Sequence, residues 1–314
     1  MLAKQLDTRL IKMAAGLRDQ VGHTPVVKIN KLVKNSKVTL WAKQEWKQLS
    51  GSVKCRAAYW IINDALQTGE LNENKILLDA TSGNTGIAYA TIGAALGIKV
   101  TLCLPENASQ QRKEILRSLG AHIIYTSRFE GTDGAQQEAK HLAAEYPHKY
   151  FYADQYKNEN NWKAHYHTTA IEIISQVPDI THFVAGLGTS GTLVGTGRRL
   201  KKHNHDIHLV SFQPDLPLHG LEGWKHMETA IVPGIYDPTV ADQNIEISTE
   251  EAYEVLKDAA KYEGLLLSPS SAANLAGALK VINTIEEGVV VTVLPDNAEK
   301  YLEIVRQLVD DVKM

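Results

Sequence analysis

The sequence predicts an α/β fold with mostly parallel sheets, because short apolar runs alternate with helical patterns along the 314 residues. The strand-like runs are Val38–Ala42, Ile76–Ala80, Lys99–Leu104, His122–Tyr125, Thr181–Ala185, His208–Phe212 and Gly288–Leu294. The helical patterns are Lys54–Gln67, Thr85–Leu96, Gln110–Leu119, Thr132–Glu145, Trp162–Gln176, Thr192–His203 and Ser271–Val281. Strands separated by helices are joined by right-handed crossovers, which place them parallel in buried sheets.

Length and composition favour a globular protein of two domains or one large α/β unit. Hydrophobic residues make up 44% and charged residues 22%, which is enough for a sizeable core. A net charge of −3 disfavours nucleic-acid binding through a basic surface. No apolar run reaches the roughly 18 residues of a membrane helix, and the N-terminal stretch has no apolar signal core. With only Cys55 and Cys103, we expect no metal site and a reducing compartment, the cytoplasm.

Four loops rich in glycine and hydroxyl residues precede predicted helices. Residues 81–86 read Thr-Ser-Gly-Asn-Thr-Gly, and residues 186–192 read Gly-Leu-Gly-Thr-Ser-Gly-Thr. Residues 50–54 and 268–271 begin two further helices with serines. Backbone N–H groups at helix N-termini bind anions, and ligands of parallel sheets lie at the carboxyl ends of strands. The loops therefore predict a site for an anionic ligand.

The loop at residues 186–191 leaves two kinds of ligand open. It matches G-x-G-x-x-G, and Asp215 lies at the distance expected for NAD binding, although residues 213–215 read as a turn. A phosphate monoester would bind the same loop through N–H groups and hydroxyls. Lys54 stands at a helix start, where cations are disfavoured, and the lowered pKa expected there suits Schiff-base chemistry.

Five motifs resemble, in order and spacing, those of the cysteine synthase family, pyridoxal-phosphate enzymes of fold type II. They are V-G-H-T-P-V-V at 21–27, S-G-S-V-K-C-R at 50–56, T-S-G-N-T-G at 81–86, G-T-S-G-T at 188–192 and L-P-D-N-A-E-K-Y-L at 294–302. The resemblance spans about residues 18–303. The segment 213–236 looks more like the B-type isozyme, although Glu222 and Gly223 stand where that pattern has arginines, which argues against a dianionic donor.

The resemblance implies a tryptophan-synthase-β-like fold of two three-layer αβα domains with mostly parallel sheets. Residues 1–40 and 154–314 would form the large pyridoxal-phosphate-binding domain. Residues 41–153 would form a small mobile domain that closes on the substrate.

The resemblance also implies a role for each site residue. Lys54 would bind pyridoxal 5′-phosphate as a Schiff base and then take the α-proton, while Asn84 bonds the ring 3′-oxygen and Ser270 faces the pyridine nitrogen. The phosphate would be held by Gly188, Thr189, Ser190, Gly191 and Thr192. The donor's carboxylate would be held by Thr81, Ser82, Gly83, Thr85 and Gln155.

The implied reaction is β-replacement, in which O-acetyl-L-serine gives an α-aminoacrylate and sulfide adds to form L-cysteine. Cystathionine β-synthase, O-phosphoserine sulfhydrylase and cysteine desulfhydrase chemistry stay open on the same scaffold. Outside the family, an NAD-dependent oxidoreductase stays open, and so does a non-catalytic member of the family that binds partners. The implied partners are a second copy of the chain in a homodimer and a serine acetyltransferase; we expect neither nucleic acid nor a membrane.

Overall fold

The computed structural model describes residues 6–81 and 83–310, and the chain divides into two compact units. The first unit contains residues 6–22, Gln48–Ser50 and Lys54–Asn161. The second unit contains His23–Lys47, Gly51–Val53 and residues 162–310. Neither unit is therefore one continuous stretch of chain.

The strands and helices follow one another in an alternating order over most of the chain. The strands are β1 (Val26–Ile29), β2 (Val38–Gln44), β3 (Ile76–Ala80), β4 (Val100–Pro105), β5 (His122–Thr126), β6 (Tyr150–Tyr152), β7 (His182–Gly186), β8 (His208–Pro214), β9 (Gln243–Ile247) and β10 (Gly288–Leu294). The helices are α1 (Thr8–Gly16), α2 (Lys54–Gln67), α3 (Asn84–Leu96), α4 (Gln110–Ser118), α5 (Gly131–Glu145), α6 (Asn160–His167), α7 (Thr169–Gln176), α8 (Gly191–His203), α9 (Thr249–Asp258), α10 (Pro269–Ile282) and α11 (Leu302–Asp310).

The first unit is built on a four-stranded parallel sheet in the order β5-β4-β3-β6. Every residue of β4 is buried, as expected for a strand covered on both faces by helices. Helix α3 is almost wholly buried, and its small residues allow close packing. A Cβ at Gly86 would lie 2.6 Å from Thr81 Cγ2, so only glycine fits there without movement.

The second unit is built on a six-stranded sheet in the order β1-β2-β10-β7-β8-β9. Only β1 runs antiparallel, against β2; the other pairs are parallel. Strand β10, late in the chain, lies in the middle of the sheet between β2 and β7. Helix α10 packs small and apolar side chains into the core of this unit, and it begins with Ser268 as N-cap and Pro269 in the first turn.

The predicted fold class is confirmed, since the chain is mixed α/β with two mostly parallel sheets. The predicted helix over residues 162–176 is instead two helices, because Thr168 has non-helical angles (φ −126°, ψ −70°) and separates α6 from α7. Residues 6–22 belong to the first unit, because Leu10 and Ala14 of α1 join its core. The units thus divide at other residues than the two predicted domains, and closure of a small domain stays a prediction.

Candidate active site

The lysine loop, residues 50–54, is anchored by two hydrogen bonds to the segment that follows β10. Val53 N donates to Pro295 O at 2.8 Å, and Lys300 Nζ donates to Gly51 O at 2.8 Å. Gly51 has a φ of +64°, a conformation that favours glycine. Lys54 is the first residue of α2 and is half-buried. Residues 294–302, which resemble a family motif, thus hold the loop before Lys54 in place.

Replacing Lys300 with methionine should weaken this anchor. We expect Lys300→Met to lower the free energy of unfolding by about 1–2 kcal/mol, because a charge-assisted hydrogen bond to Gly51 O is lost. Urea unfolding measures the change, with Lys202→Met as the matched control, since Lys202 is an exposed lysine of the same unit. Equal stability of the two variants would show that the contact contributes nothing.

The asparagine loop, residues 81–85, joins β3 to α3 in the first unit. Thr81 Oγ1 accepts hydrogen bonds from Gly83 N at 3.0 Å and Gly86 N at 3.2 Å, which closes the loop on itself. Gly83 is the N-cap of α3 and offers no side chain to cap the helix. The first-turn N–H groups, with the helix dipole, are suited to an anionic group. Asn84 begins the helix, and Ser82 lies outside the described residues.

Gln155 contacts the asparagine loop through its side chain. Its Oε1 accepts a hydrogen bond from Thr85 Oγ1 at 2.6 Å, and its Nε2 donates to Ala80 O at 2.7 Å. Gln155 is 3% exposed, so this contact belongs to the interior of the unit. The structure therefore places two of the predicted carboxylate ligands in direct contact.

Asp79 lies two residues before this loop and was not among the predicted site residues. Its carboxylate accepts hydrogen bonds from Ala80 N at 2.8 Å and Gln155 N at 3.2 Å. The side chain is fully buried, and burial raises the pKa of Asp79 to about 7 although both N–H groups favour the charged form. An acid within the apolar run Ile76–Ala80 was the sequence signal that could have found it.

The glycine-rich loop joins β7 to α8 in the second unit. Ser190, the N-cap of α8, has a φ of +68° and makes no side-chain cap, while Gly186 N donates to Asn274 Oδ1 at 2.6 Å. A Cβ at Gly188 would lie 2.1 Å from Gly223 O, so the loop is tightly pressed against this segment. The open helix end and the lack of a side chain at Gly188 fit a phosphate group.

Two further residues around the glycine-rich loop were not foreseen. His165 of α6 lies with Nε2 3.4 Å from Thr192 Oγ1 and Nδ1 2.8 Å from Thr169 Oγ1. Lys225 is 9% exposed, and its backbone N donates to Leu187 O at 2.8 Å. The B-type pattern drew attention to Glu222 and Gly223, and the buried cation follows two positions later.

The interpretation of residues 213–215 as a turn is wrong, because β8 runs through Pro214 and Asp215 follows it directly. A strand, a glycine-rich loop, a helix and a second strand that ends before an acid also suit a dinucleotide. The geometry of this loop therefore suits both a dinucleotide and a phosphate monoester.

Ser270 lies in a buried cluster at the start of α10. Ser270 Oγ is 3.4 Å from Asp296 Oδ1 and 3.2 Å from Ser268 Oγ, while Ser271 Oγ donates to Asp296 O at 2.6 Å. The hydroxyl of Ser270 is thus held in place by neighbours from the same unit. This arrangement suits a neutral hydrogen-bonding group for a ring nitrogen.

The predicted site residues fall into both units. Lys54, Thr81, Gly83, Asn84, Thr85 and Gln155 belong to the first, and Gly188, Thr189, Ser190, Gly191, Thr192 and Ser270 belong to the second. Two buried hydroxyls near the lysine, Ser50 Oγ and Ser52 Oγ, make no hydrogen bond to the described residues. Within residues 6–81 and 83–310, no cluster of three or more His, Cys, Asp or Glu suits a metal ion. No helix in the same ranges has the length and apolarity to cross a membrane.

Comparison with known proteins identifies the relatives of this chain. Residues 17–296 match the family model described as "Pyridoxal-phosphate dependent enzyme". The chain is 47% identical over 290 residues to the cysteine synthase of Aquifex aeolicus, covering 90% of this chain and 89% of that protein. It is 35% identical over 289 residues to cysteine synthase B of Escherichia coli, covering 91% and 94%. A crystal structure of an O-acetylserine-dependent cystathionine β-synthase from Helicobacter pylori is similar with a TM-score of 0.86 and 33% identity, covering 91% and 96%.

Proposed function

Since the chain belongs to the cysteine synthase family of pyridoxal-phosphate-dependent enzymes, we propose that it replaces the β-substituent of O-acetyl-L-serine with sulfide to give L-cysteine. The observation that carries the proposal is the 47% identity with a cysteine synthase over nine-tenths of this chain. When bound, pyridoxal 5′-phosphate withdraws electrons from the substrate's α-carbon, so that a β-substituent can leave. The remaining work of binding, orientation and proton transfer falls to the protein.

Lys54 holds the cofactor covalently in this proposal. The free amine of Lys54, once the donor is bound, would accept the α-proton at Nζ. The two hydrogen bonds that anchor Gly51 and Val53 support the proposal, because they fix the backbone directly before Lys54. Fixing the backbone reduces the orientations that the lysine must sample before it takes the proton.

The glycine-rich loop of residues 188–192 binds the cofactor's phosphate in this proposal. The open N-terminus of α8, the positive φ of Ser190 and the crowding at Gly188 support this role. In this proposal Ser270 would hold the ring nitrogen and Asn84 the ring oxygen. A serine hydroxyl carries no charge, so it leaves the ring nitrogen unprotonated, which favours elimination of a β-substituent over transamination.

In this proposal the donor's carboxylate is held by Thr81, Ser82, Gly83, Thr85 and Gln155. The support is the N-terminus of α3, where the N-cap residue Gly83 has no side chain to cap the helix, together with the 2.6 Å contact between Thr85 Oγ1 and Gln155 Oε1. An arriving carboxylate accepts hydrogen bonds from N–H and O–H groups, so the Thr85 hydroxyl can turn from Gln155 toward the donor. The Gln155 amide then keeps its own bond to Ala80 O.

Replacing Gln155 with alanine should slow the reaction of the donor selectively. We expect kcat/KM for O-acetylserine to fall about 10- to 150-fold, which corresponds to the loss of about 1.5–3 kcal/mol from one hydrogen bond to a charged group. The absorption spectrum of the resting holoenzyme should not change. Addition of sulfide should suffer less, because sulfide has no carboxylate. Stopped-flow spectroscopy measures both half-reactions, with Gln67→Ala as control at an exposed glutamine of the same unit. A wild-type rate with O-acetylserine would remove Gln155 from the site.

A panel of donors and nucleophiles tests the proposed function. O-acetyl-L-serine, O-phospho-L-serine and L-serine are each supplied with sulfide, and product formation is measured by chromatography. We expect O-acetyl-L-serine to give the highest kcat/KM. Supplying homocysteine in place of sulfide tests cystathionine formation, the activity named for the Helicobacter pylori relative. Failure of all three donors to react would overturn the proposed function.

The assembly and location of the protein stay predictions. A homodimer and docking of a serine acetyltransferase follow from the family resemblance and are tested by the solution mass alone and after mixing with the acetyltransferase. The cytoplasm is expected from the two cysteines, which are buried and form no disulfide.

A further inference from the structure

Asp79 occupies the point where the parallel ladder between β3 and β6 ends. Ala153 N donates to Leu78 O at 2.9 Å, just beyond the last residue of β6. Backbone groups of one residue in a parallel strand point to the same neighbour, and this side alternates along the strand. Ala80 therefore points its N–H and C=O to the side of Leu78, where β6 no longer provides partners.

At Ala80, side chains provide the hydrogen-bond partners that β6 provides along the rest of the ladder. Asp79 Oδ1 accepts the Ala80 N–H at 2.8 Å, and Gln155 Nε2 donates to Ala80 O at 2.7 Å. The second carboxylate oxygen, Asp79 Oδ2, accepts the backbone N–H of Gln155 at 3.2 Å. Asp79 thus binds the backbone of Gln155, and the side chain of Gln155 binds Ala80 O.

The network continues from Gln155 to the asparagine loop. With Nε2 engaged by Ala80 O, the amide of Gln155 is oriented so that Oε1 faces Thr85 and accepts its hydroxyl at 2.6 Å. Asn161 Nδ2 donates to Gln155 O at 2.7 Å, so the backbone of Gln155 is held on both sides. The rotamer of Gln155 is therefore determined by partners from three segments of the first unit.

Asp79 is a buried acid, and the buried hydroxyl of Tyr89 is a further neighbour that lowers the pKa of its carboxyl against the larger effect of burial. Asp79 has no exposed surface, and two backbone N–H groups are its partners in the hydrogen bonds above. A buried carboxylate without a cation costs free energy that an apolar side chain would avoid. Orientation of Gln155 is a role beyond packing that the backbone contacts of Asp79 support.

We propose that Asp79 is a positioning residue that fixes the side chain of Gln155 beside Thr85, at the place where the Thr85 hydroxyl turns to receive the donor's carboxylate. The proposal rests on the proposed function, because it assigns the donor's carboxylate to Thr85 and Gln155. Asp79 itself does not touch the donor.

The test is a double-mutant cycle between Asp79→Asn and Gln155→Ala in the holoenzyme. We expect Asp79→Asn to raise the half-saturating concentration of O-acetylserine about tenfold, with little change in the maximal rate and none in the resting absorption spectrum. In the Gln155→Ala background the same substitution should change it less than about twofold, because the residue that Asp79 positions is gone. Leu77→Val is the matched control, a small packing change at a buried residue of β3. We expect it to leave the half-saturating concentration unchanged.

An equal effect of Asp79→Asn in both backgrounds would overturn the proposal, as would a wild-type response to the donor. Should Asp79→Asn not fold, Asp79→Ser takes its place in the same cycle, because the shorter side chain can hold only one of the two N–H groups. Hydrogen exchange of the Gln155 amide in the wild-type holoenzyme needs no variant: slow exchange supports the contact, and exchange as fast as in an unfolded chain contradicts it. Failure of the proposed function would show differently, as no reaction of the wild-type enzyme with any serine derivative.

Discussion

Lys54→Ala should abolish β-replacement and the visible absorption band of the holoenzyme. We expect activity to fall at least about a thousandfold, because one substitution removes both the covalent attachment of the cofactor and the base for the α-proton. Lys54 is half-buried at the first position of α2, so its removal should leave the helix and the fold intact. Visible absorption, far-ultraviolet circular dichroism and sulfide-dependent cysteine formation measure the three quantities.

Lys99→Ala is the control for this prediction, since Lys99 is an exposed lysine of the same unit and should behave as wild type. Borohydride reduction of the wild-type holoenzyme, followed by peptide mapping, gives an independent check. The reduced cofactor should be found on the peptide that contains Lys54. Recovery on another lysine would disprove the assignment, whatever the activity of the variant.

Gly188→Ala should have the second largest effect, loss of the cofactor. The new Cβ would lie 2.1 Å from Gly223 O, and a backbone carbonyl cannot move aside as a flexible side chain can. The loop must therefore shift, and its N–H groups leave the positions that hold a phosphate. We expect the dissociation constant of pyridoxal 5′-phosphate to rise at least about a hundredfold, measured by spectroscopic titration of the protein freed of cofactor.

Gly16→Ala is the control, because a Cβ at Gly16 would meet nothing within 4 Å. It should bind the cofactor as wild type does. Calorimetry with NAD on the wild-type protein tests the competing ligand of the same loop. Tight stoichiometric NAD binding, together with unchanged cofactor affinity in Gly188→Ala, would assign the loop to a dinucleotide.

Parallel strands and the helices between them were predictable from local pattern alone. The bounds Ile76–Ala80, Gly288–Leu294 and Lys54–Gln67 are those predicted, because each run is continuously apolar or amphipathic. Strand β9, Gln243–Ile247, was missed, since its edge position leaves it mostly polar and exposed. The break at Thr168 was missed because threonine within a helical pattern gives no local signal of a non-helical φ.

The candidate site was predictable where motif residues stand next to each other in sequence. Loops 81–86 and 188–192 are recognisable in the sequence because glycine and hydroxyl residues cluster where a predicted helix begins. Asp79 and Lys300 were not found, because their importance comes from contacts across the chain: Asp79 with Gln155, and Lys300 with Gly51. Lys300 even lies in the motif at residues 294–302, but a single sequence does not show which residues of two distant segments contact one another.

The central place of β10 has a consequence for biosynthesis. Strand β2 ends at Gln44, and the strand that fills the gap between it and β7 begins only at Gly288. At roughly 5–20 residues per second, a ribosome needs about 10–50 s to make the intervening chain; during that time one edge of β2 has no neighbour, and one edge of β7 has none from the moment β7 is made. The second unit therefore cannot complete its sheet co-translationally before Gly288–Leu294 has been made. Until then the open strand edges of the nascent chain are sites for pairing with another strand.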